Sequence, residues 1–126
     1  MIIGTGIDIV ELPRIQKIIE RQEHAFVQRV LTAREQKAMP EAPGRRIEYI
    51  AGRFAAKEAI SKALGTGIGG VVSFYDMEII PDANGRPIVH IAERVLREIA
   101  GTVECRCHIS ITHSREYAAA QAILEM

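Results

Sequence analysis

The 126-residue sequence is poor in aromatic side chains: it contains no Trp, three Phe and three Tyr. A surface that stacks nucleic-acid bases needs several exposed aromatic rings, so this chain is not expected to provide one. Its arginines and lysines also follow no known nucleic-acid-binding motif. The composition therefore argues against a nucleic-acid partner.

Cysteines and long apolar runs are also scarce. The two cysteines, Cys105 and Cys107, lie two apart on one predicted strand, where they cannot easily bond to each other. No second pair is present to complete a zinc site. No apolar run approaches the ~20 residues needed to span a membrane, and residues 1–4 do not resemble a signal peptide. We expect reduced, structural cysteines in a cytoplasmic protein that makes no membrane contact.

Charge is balanced overall, with 16 basic and 16 acidic residues, but it is unevenly distributed. From Arg14 to Lys62 there are 11 basic and 6 acidic residues, a net charge of +5, whereas the remainder holds 5 and 10, a net charge of −5. A basic segment of this kind suggests an anionic ligand or partner. The length predicts a single domain over residues 1–126 with a real hydrophobic core.

The segment richest in candidate functional residues covers residues 52–67, GRFAAKEAISKALGTG. Its alanines favour a helix, and Gly65 is a natural left-handed end to it. On such a helix Glu58 and Lys62 lie one turn apart on the same face. A carboxylate beside lysines and next to a glycine-rich loop suits a divalent metal held together with phosphates. The alternative is a solvated Glu58–Lys62 ion pair followed by an ordinary glycine cap.

Residues 2–10 are predicted to form a buried strand rich in β-branched side chains, in which Gly4 and Gly6 allow another backbone to approach closely. Asp8 interrupts this apolar pattern. An unpaired buried carboxylate costs several kcal/mol, so a buried Asp8 needs a cation, a metal or a cluster of donors. The alternative is an aspartate on the wet face of a half-exposed strand.

The other elements follow from periodicity and turn signals. Pro13 opens a first helix whose outer face carries Arg14 and Arg21, with Ile18 between them. A second short helix is predicted at 24–31, and residues 32–35 form a capping box that starts another. Strands at 77–80 and 87–91 flank an Asn-Gly turn, a helix covers 92–100, and a half-buried strand covers 105–112. Propensity alone would make the last segment, from residue 114, a helix.

Three blocks carry a family resemblance: residues 6–11 (GIDIVE), residues 52–67, and residues 110–114 (SITHS). In this order and in a chain of this length they resemble the holo-[acyl-carrier-protein] synthases, the short class of 4′-phosphopantetheinyl transferases. The resemblance implies an α+β domain with a mainly antiparallel sheet packed against a long central helix. It also implies a homotrimer with active sites between protomers. Residues 117–124 would then pair as a strand with 105–112, against their own propensity.

The resemblance also implies roles for particular residues. Asp8 and Glu58 would bind Mg²⁺, and with Lys62 and His113 they form the expected catalytic set. The residues expected to contact coenzyme A are Arg53, Ser61, Lys62, Gly65, Thr66 and His113. The residues expected to dock the carrier protein are Arg14, Ile18 and Arg21. Because Gly65 and Thr66 follow a helix C-terminus, whose dipole disfavours anions, they are expected to make room for the nucleotide, or else to form a plain helix cap.

The implied reaction transfers the 4′-phosphopantetheine arm of coenzyme A to a serine of apo acyl carrier protein. It would depend on Mg²⁺, release adenosine 3′,5′-bisphosphate and serve fatty acid biosynthesis. The alternative function is a non-catalytic, Mg²⁺-dependent module that binds coenzyme A or a nucleotide. The general base stays open among a metal-bound water, one of the two carboxylates acting through it, and His113.

Overall fold

The computed structural model describes all residues from 1 to 126. The strands are β1 (Ile2–Glu11), β2 (Met77–Pro81), β3 (Pro87–Ile91), β4 (Arg106–His113) and β5 (Tyr117–Glu125). The α-helices are α1 (Leu12–Val30), α2 (Ala33–Lys37), α3 (Pro43–Leu64) and α4 (Glu93–Ala100), and a 3₁₀ turn (Phe74–Asp76) precedes β2. Every strand pair is antiparallel, in one sheet of order β1-β5-β4 and a β2-β3 hairpin. The predicted α+β architecture is confirmed.

The long helix α3 lies directly on the three-stranded sheet. Its sheet-facing side is built of small residues, and Ala55, Ala59 and Ala63 are buried in the main hydrophobic core. Gly4 and Gly6 of β1 meet the backbone of α3 with no room for a side chain. The close backbone approach predicted at these glycines is confirmed, and it brings β1 unusually near to α3.

Strand β5 forms where propensity alone favours a helix. It is the central strand of its sheet and pairs along its length with both β1 and β4. Its inward side chains, Ala118, Ala120, Ala122 and Leu124, are buried beneath α3. Backbone pairing on both edges and burial of one face outweigh a weak local helix preference. The strand predicted from the resemblance is confirmed.

Helix α1 combines two predicted helices across a kink. Pro13 lies in its first turn, and Gln22 has non-helical backbone angles, φ −155° and ψ 57°. The predicted break between the two helices therefore appears as a bend rather than a gap. Residues 12–21 form one straight section and residues 23–30 another. None of the helices has the length and apolar character required to cross a membrane.

A fully buried ion pair joins four of these elements. The Lys57 ammonium on α3 lies 2.6 Å from Oε1 of Glu35 and donates to the carbonyl oxygens of Val30 at 2.7 Å and Phe74 at 3.1 Å. Glu35 also accepts from the amide of Ile79 at 2.8 Å and completes the predicted capping box of α2. Burial lowers the pKa of Lys57, opposed by Glu35. The pair therefore connects α3 to α1, α2 and β2.

The expectation that Glu58 is a carboxylate beside several lysines is wrong in one respect, the position of Lys57. Only Lys62 accompanies Glu58, because Lys57 is turned into the interior. The cysteines are free, as predicted, although Cys105 precedes β4 rather than lying on it. Burial raises the pKa of the Cys107 thiol to about 11, which keeps it protonated and unreactive.

Candidate active site

Asp8 lies on the side of β1 that faces α3. It follows Gly4 and Gly6 in the strand alternation, and its side chain is only 18% exposed. The Lys62 ammonium donates to Oδ1 of Asp8 at 3.3 Å and to the carbonyl oxygen of Ile7 at 2.9 Å. Asp8 is therefore not on the wet outer face of the strand. It is largely buried, and it has the cation that such a position requires.

Glu58 comes from α3, one turn before Lys62. Burial raises the pKa of the Glu58 carboxyl and the nearby Asp8 raises it further, while Lys62 and Arg29 lower it. The two carboxylates are thus close enough to repel each other, and one nearby ammonium does not cancel their charge. Such an arrangement favours binding of a further cation between them.

This donor set fits magnesium in particular. The chain contains no cluster of three or more His, Cys, Asp or Glu side chains that would enclose a metal completely. Mg²⁺ is commonly held by one or two carboxylates, with water and substrate phosphates filling its octahedron. Asp8 and Glu58 supply that number of ligands, and Lys62 supplies a positive charge for a phosphate beside them.

The two carboxylates open into a cavity of about 540 Å³ between β1, α1 and α3. The predicted docking residues Arg14 and Ile18 line this cavity, together with the apolar side chains of Ile15 and Phe54. Arg21 is exposed at the end of the same straight section of α1. The fold therefore brings two of the three predicted docking residues to the mouth of the predicted metal site, with the third on the same section.

Arg29 is a cation near Glu58 that the sequence analysis missed. It lowers the pKa of the Glu58 carboxyl, and its guanidinium lies 5.9 Å from the centre of the Phe74 ring. Arg29 stands in the second section of α1, outside all three motif blocks. No signal in a single sequence singled it out from the other surface arginines.

Residues 4–122 match the family model described as the 4′-phosphopantetheinyl transferase superfamily. The chain belongs to this superfamily. It is 50% identical over 126 residues to the holo-[acyl-carrier-protein] synthase of Geobacillus sp. (strain WCH70), covering 99% of this chain and 98% of that protein. The predicted family and the predicted enzyme class, a phosphopantetheinyl transferase, are confirmed.

Solved structures agree with this assignment. The chain is similar to a holo-(acyl-carrier-protein) synthase from Bacillus anthracis in complex with CoA (3′,5′-ADP), with 46% identity, a TM-score of 0.80 and coverage of 99% and 97% of the two chains. It is also similar to the Helicobacter pylori enzyme in complex with coenzyme A, with 31% identity, a TM-score of 0.85 and coverage of 96% and 99%.

Two predicted site residues of this phosphopantetheinyl transferase lie away from its carboxylates. His113 ends the edge strand β4, which β5 separates from β1, and its Nδ1 lies 3.1 Å from Oε2 of Glu48. Arg53 precedes Glu58 by five residues on α3, which turns it about 140° around the helix. Within one chain the structure does not bring His113 or Arg53 to Asp8 and Glu58.

The remaining predicted coenzyme A contacts lie at the end of α3. Ser61 is fully buried, and its hydroxyl donates to the carbonyl oxygen of Glu58 at 2.7 Å. A direct contact between Ser61 and a ligand is therefore not supported. Gly65 is the left-handed cap of α3, with φ 81°, and the amides of Gly65 and Thr66 are bonded to carbonyl oxygens of the last helical turn. These two residues offer space rather than free amide donors.

Proposed function

We propose that this enzyme transfers the 4′-phosphopantetheine arm of coenzyme A to a serine hydroxyl of an apo acyl carrier protein, in a Mg²⁺-dependent reaction that releases adenosine 3′,5′-bisphosphate. The observation that carries the proposal is the convergence of Asp8, Glu58 and Lys62 where β1 meets α3. The similar proteins are holo-[acyl-carrier-protein] synthases, which supports a carrier protein as acceptor, and two of them were solved in complex with CoA (3′,5′-ADP) or coenzyme A, which supports coenzyme A as donor.

Asp8 and Glu58 would hold the ion. A bound Mg²⁺ supplies charge neutralisation for the two phosphates of the donor and polarises the phosphorus that is attacked. The Lys62 ammonium already donates to Asp8 and to the carbonyl oxygen of Ile7. It would move from Asp8 to a phosphate oxygen once the ion balances the charge of the two carboxylates. Ile15 and Phe54, which line the cavity, would keep water from the reacting hydroxyl.

The proton of the serine needs an acceptor close to Asp8. Within one chain, His113 lies on the far edge of the three-stranded sheet from Asp8, so it can serve only if another protomer presents it. Asp8 or Glu58, which lie in the same chain as the cavity, would need no second chain to accept the proton. His113 would therefore contact coenzyme A, and it would act as the base only where another protomer supplies it.

The carrier protein would dock on the first section of α1. Arg14 and Ile18 flank the opening of the cavity, and Arg21 extends the same basic face. Carrier proteins present an acidic helix beside their serine, which is the complementary charge. The arginines would thus orient the carrier with its serine over Asp8 and Glu58.

We also propose that three copies assemble through the outer face of the sheet. Ile7 is 67% exposed and Ile9 64% exposed on this face, beside the exposed Tyr117 of β5. Isoleucines exposed side by side on a sheet usually mark a contact surface. An assembly would let Arg53 and His113 of one copy complete the site of its neighbour, which accounts for their distance from Glu58. The single domain, the cytoplasmic location and a role in fatty acid biosynthesis stay predictions.

The test uses the enzyme with apo carrier protein, coenzyme A and Mg²⁺. Mass spectrometry should find the carrier heavier by one phosphopantetheine group, and chromatography should find adenosine 3′,5′-bisphosphate in equal amount. EDTA, and a carrier whose acceptor serine is replaced by alanine, should each abolish the product. A non-catalytic coenzyme A-binding module would bind the donor in calorimetry and leave the carrier's mass unchanged.

A further inference from the structure

Tyr75 is the most exposed aromatic residue of the chain. It belongs to the 3₁₀ turn before β2 and is 53% exposed. Its hydroxyl donates to the carbonyl oxygen of Gln28 on α1, so the part that faces solvent is mainly the apolar ring. A ring that is fixed at its far end loses little rotational freedom when a partner covers it. Tyr75 is therefore well prepared to contribute to an interface.

A single exposed aromatic residue is ordinary on a protein surface, so the neighbours of Tyr75 decide its meaning. Gln28 lies in the second section of α1, and the next residue, Arg29, has its guanidinium 5.9 Å from the centre of the Phe74 ring. Arg29 is exposed and forms no ion pair with a carboxylate of the chain. A fixed ring and an unpaired cation thus lie close together where the turn meets α1.

This surface borders the candidate active site. Arg29 is close enough to Glu58 to lower the pKa of its carboxyl, and Arg14 and Ile18 of the first section of α1 line the cavity that Glu58 also lines. Both sections of α1 therefore lie beside the same carboxylate. A specific interface takes roughly 20–30 residues from each partner, more than the first section alone provides. A partner docked there with its serine over Glu58 therefore reaches the second section as well.

We propose that Tyr75 is a docking residue for the acyl carrier protein, and that its ring packs against an apolar side chain presented beside the carrier's acidic helix. This inference rests on the proposed function and extends its docking surface beyond the kink of α1. The charge of Arg29 next to the ring complements an acidic helix. Tyrosine and arginine are among the residues most enriched where interfaces concentrate their binding energy.

The alternative is that Tyr75 only fastens the 3₁₀ turn to α1. Such a role would act through the stability of the fold, and it would impair the use of both substrates together. A docking role raises the KM for the carrier and leaves kcat and the KM for coenzyme A unchanged. An apolar contact is also insensitive to screening, so its loss should be as large at high salt as at low salt.

The first experiment compares Tyr75→Ser, which removes the ring, with Tyr75→Phe, which keeps the ring and removes only the bond to Gln28. Tyr75→Ser should raise the KM for apo carrier protein about 10-fold, the size expected for an aromatic interface residue, with kcat and the KM for coenzyme A unchanged. Tyr75→Phe should stay closer to the wild type. Ile88→Ser is the matched control, because it removes an exposed apolar side chain from the β2-β3 hairpin and should change no constant.

The second experiment uses the absence of Trp from the chain. Tyr75→Trp introduces a single fluorescent indole at the proposed contact, and Ile88→Trp introduces one on the hairpin as the control. An apo carrier protein that itself lacks Trp should shift the emission of the Tyr75→Trp variant to shorter wavelength in a saturable way, because the ring becomes covered. The carrier should leave the emission of the Ile88→Trp variant unchanged.

The two experiments separate this inference from the proposed function. A saturable shift without any modification of the carrier would mean that docking at Tyr75 stands and the transfer reaction fails. Transfer to a carrier that leaves the emission of the Tyr75→Trp variant unchanged would overturn the inference. So would a wild-type carrier KM in Tyr75→Ser, or an equal loss for carrier and coenzyme A. If Tyr75→Ser does not fold, the emission shift alone decides.

Discussion

A Cβ atom on Gly6 would lie 1.9 Å from the carbonyl oxygen of Ala59, well inside van der Waals contact. Strand β1 therefore touches the backbone of α3 at a point two residues before Asp8. The contact sets how near the Asp8 carboxylate comes to Glu58 and Lys62. The distance between the two halves of the candidate metal site is thus determined by backbone packing rather than by flexible side chains.

Gly6→Ala should consequently separate β1 from α3. Forcing a methyl group against a backbone atom that cannot move aside should reduce the free energy of unfolding by about 3 kcal/mol or more. Gly44→Ala is the control, because nothing lies within 4 Å of that position near the start of α3, and there alanine favours the helix. Urea denaturation of both variants measures the difference. Equal stability of the Gly6 variant and the wild type would contradict the packing argument.

The sequence predicted a close backbone approach at Gly4 and Gly6, the capping box and the left-handed end of α3, since each has a short local pattern in the chain. It did not identify α3 as the backbone that approaches the glycines, because Gly6 and Ala59 are far apart in the sequence. It did not predict the Lys57–Glu35 pair, because the partners are 22 residues apart and lysine on a helix is ordinarily a surface residue. Strand β5 was predicted only through the family resemblance. Arg29 could not be found because its significance depends on which side chains fold against it.

Asp8→Ala and Glu58→Ala should each reduce the rate of phosphopantetheine transfer at least ~100-fold, because each removes a ligand of the ion that stabilises the developing charge. Glu104→Ala is the control, since that exposed carboxylate has no side-chain partner. Rates are measured at saturating Mg²⁺ with the fold checked by circular dichroism. Near-normal transfer by either variant would refute the metal assignment.

Glu58 should also make stability depend on pH and on Mg²⁺. Its pKa in the folded protein is raised above the ordinary value of 4.5 for a glutamate carboxyl, so the ionised form is disfavoured in the fold and stability is lost as pH rises through the folded pKa. Without Mg²⁺, Glu58→Gln should therefore melt at a higher temperature than the wild type at pH 7, and the gap should close below pH 4.5.

Mg²⁺ binding to the folded state should remove this penalty in the wild type. At about 10 to 100 times its Kd, the ion should stabilise the wild type by roughly 1.4 to 2.7 kcal/mol. It should have little effect on the Glu58→Gln variant. Differential scanning fluorimetry with and without the ion measures both effects. A Mg²⁺ shift of equal size in both proteins would mean that the ion binds elsewhere.

The apolar outer face of the sheet should hold the assembly together. Light scattering of the wild type should give roughly three times 14.0 kDa. Ile7→Glu/Ile9→Glu should give a folded monomer with little transferase activity, because a charge on each exposed isoleucine prevents burial of the face. Ile88→Glu alters an exposed isoleucine on the separate hairpin and should leave the trimer intact. A fully active monomer on dilution would rule out a site shared between copies.

Charge reversal on α1 should weaken docking of the carrier without affecting the donor. Arg14→Glu/Arg21→Glu should raise the KM for carrier protein and make its dependence on salt shallower, since exposed pairs are worth about 0.2–1 kcal/mol each and are screened. The KM for coenzyme A should stay the same. Arg97→Glu/Arg106→Glu reverses the same charge on exposed positions elsewhere. An unchanged carrier KM at low salt would make Arg14 and Arg21 ordinary solvated residues.

The burial of Lys57 divides the amines of this protein into two classes. The chain has four lysines, at positions 17, 37, 57 and 62, and the ammonium of Lys57 has its three donors occupied in the interior. Amine-reactive labels therefore reach Lys57 only when the whole domain opens, whereas Lys62 stands half-exposed at the candidate metal site. Two lysines five residues apart thus act as independent chemical reporters, Lys57 of unfolding and Lys62 of ligand occupancy.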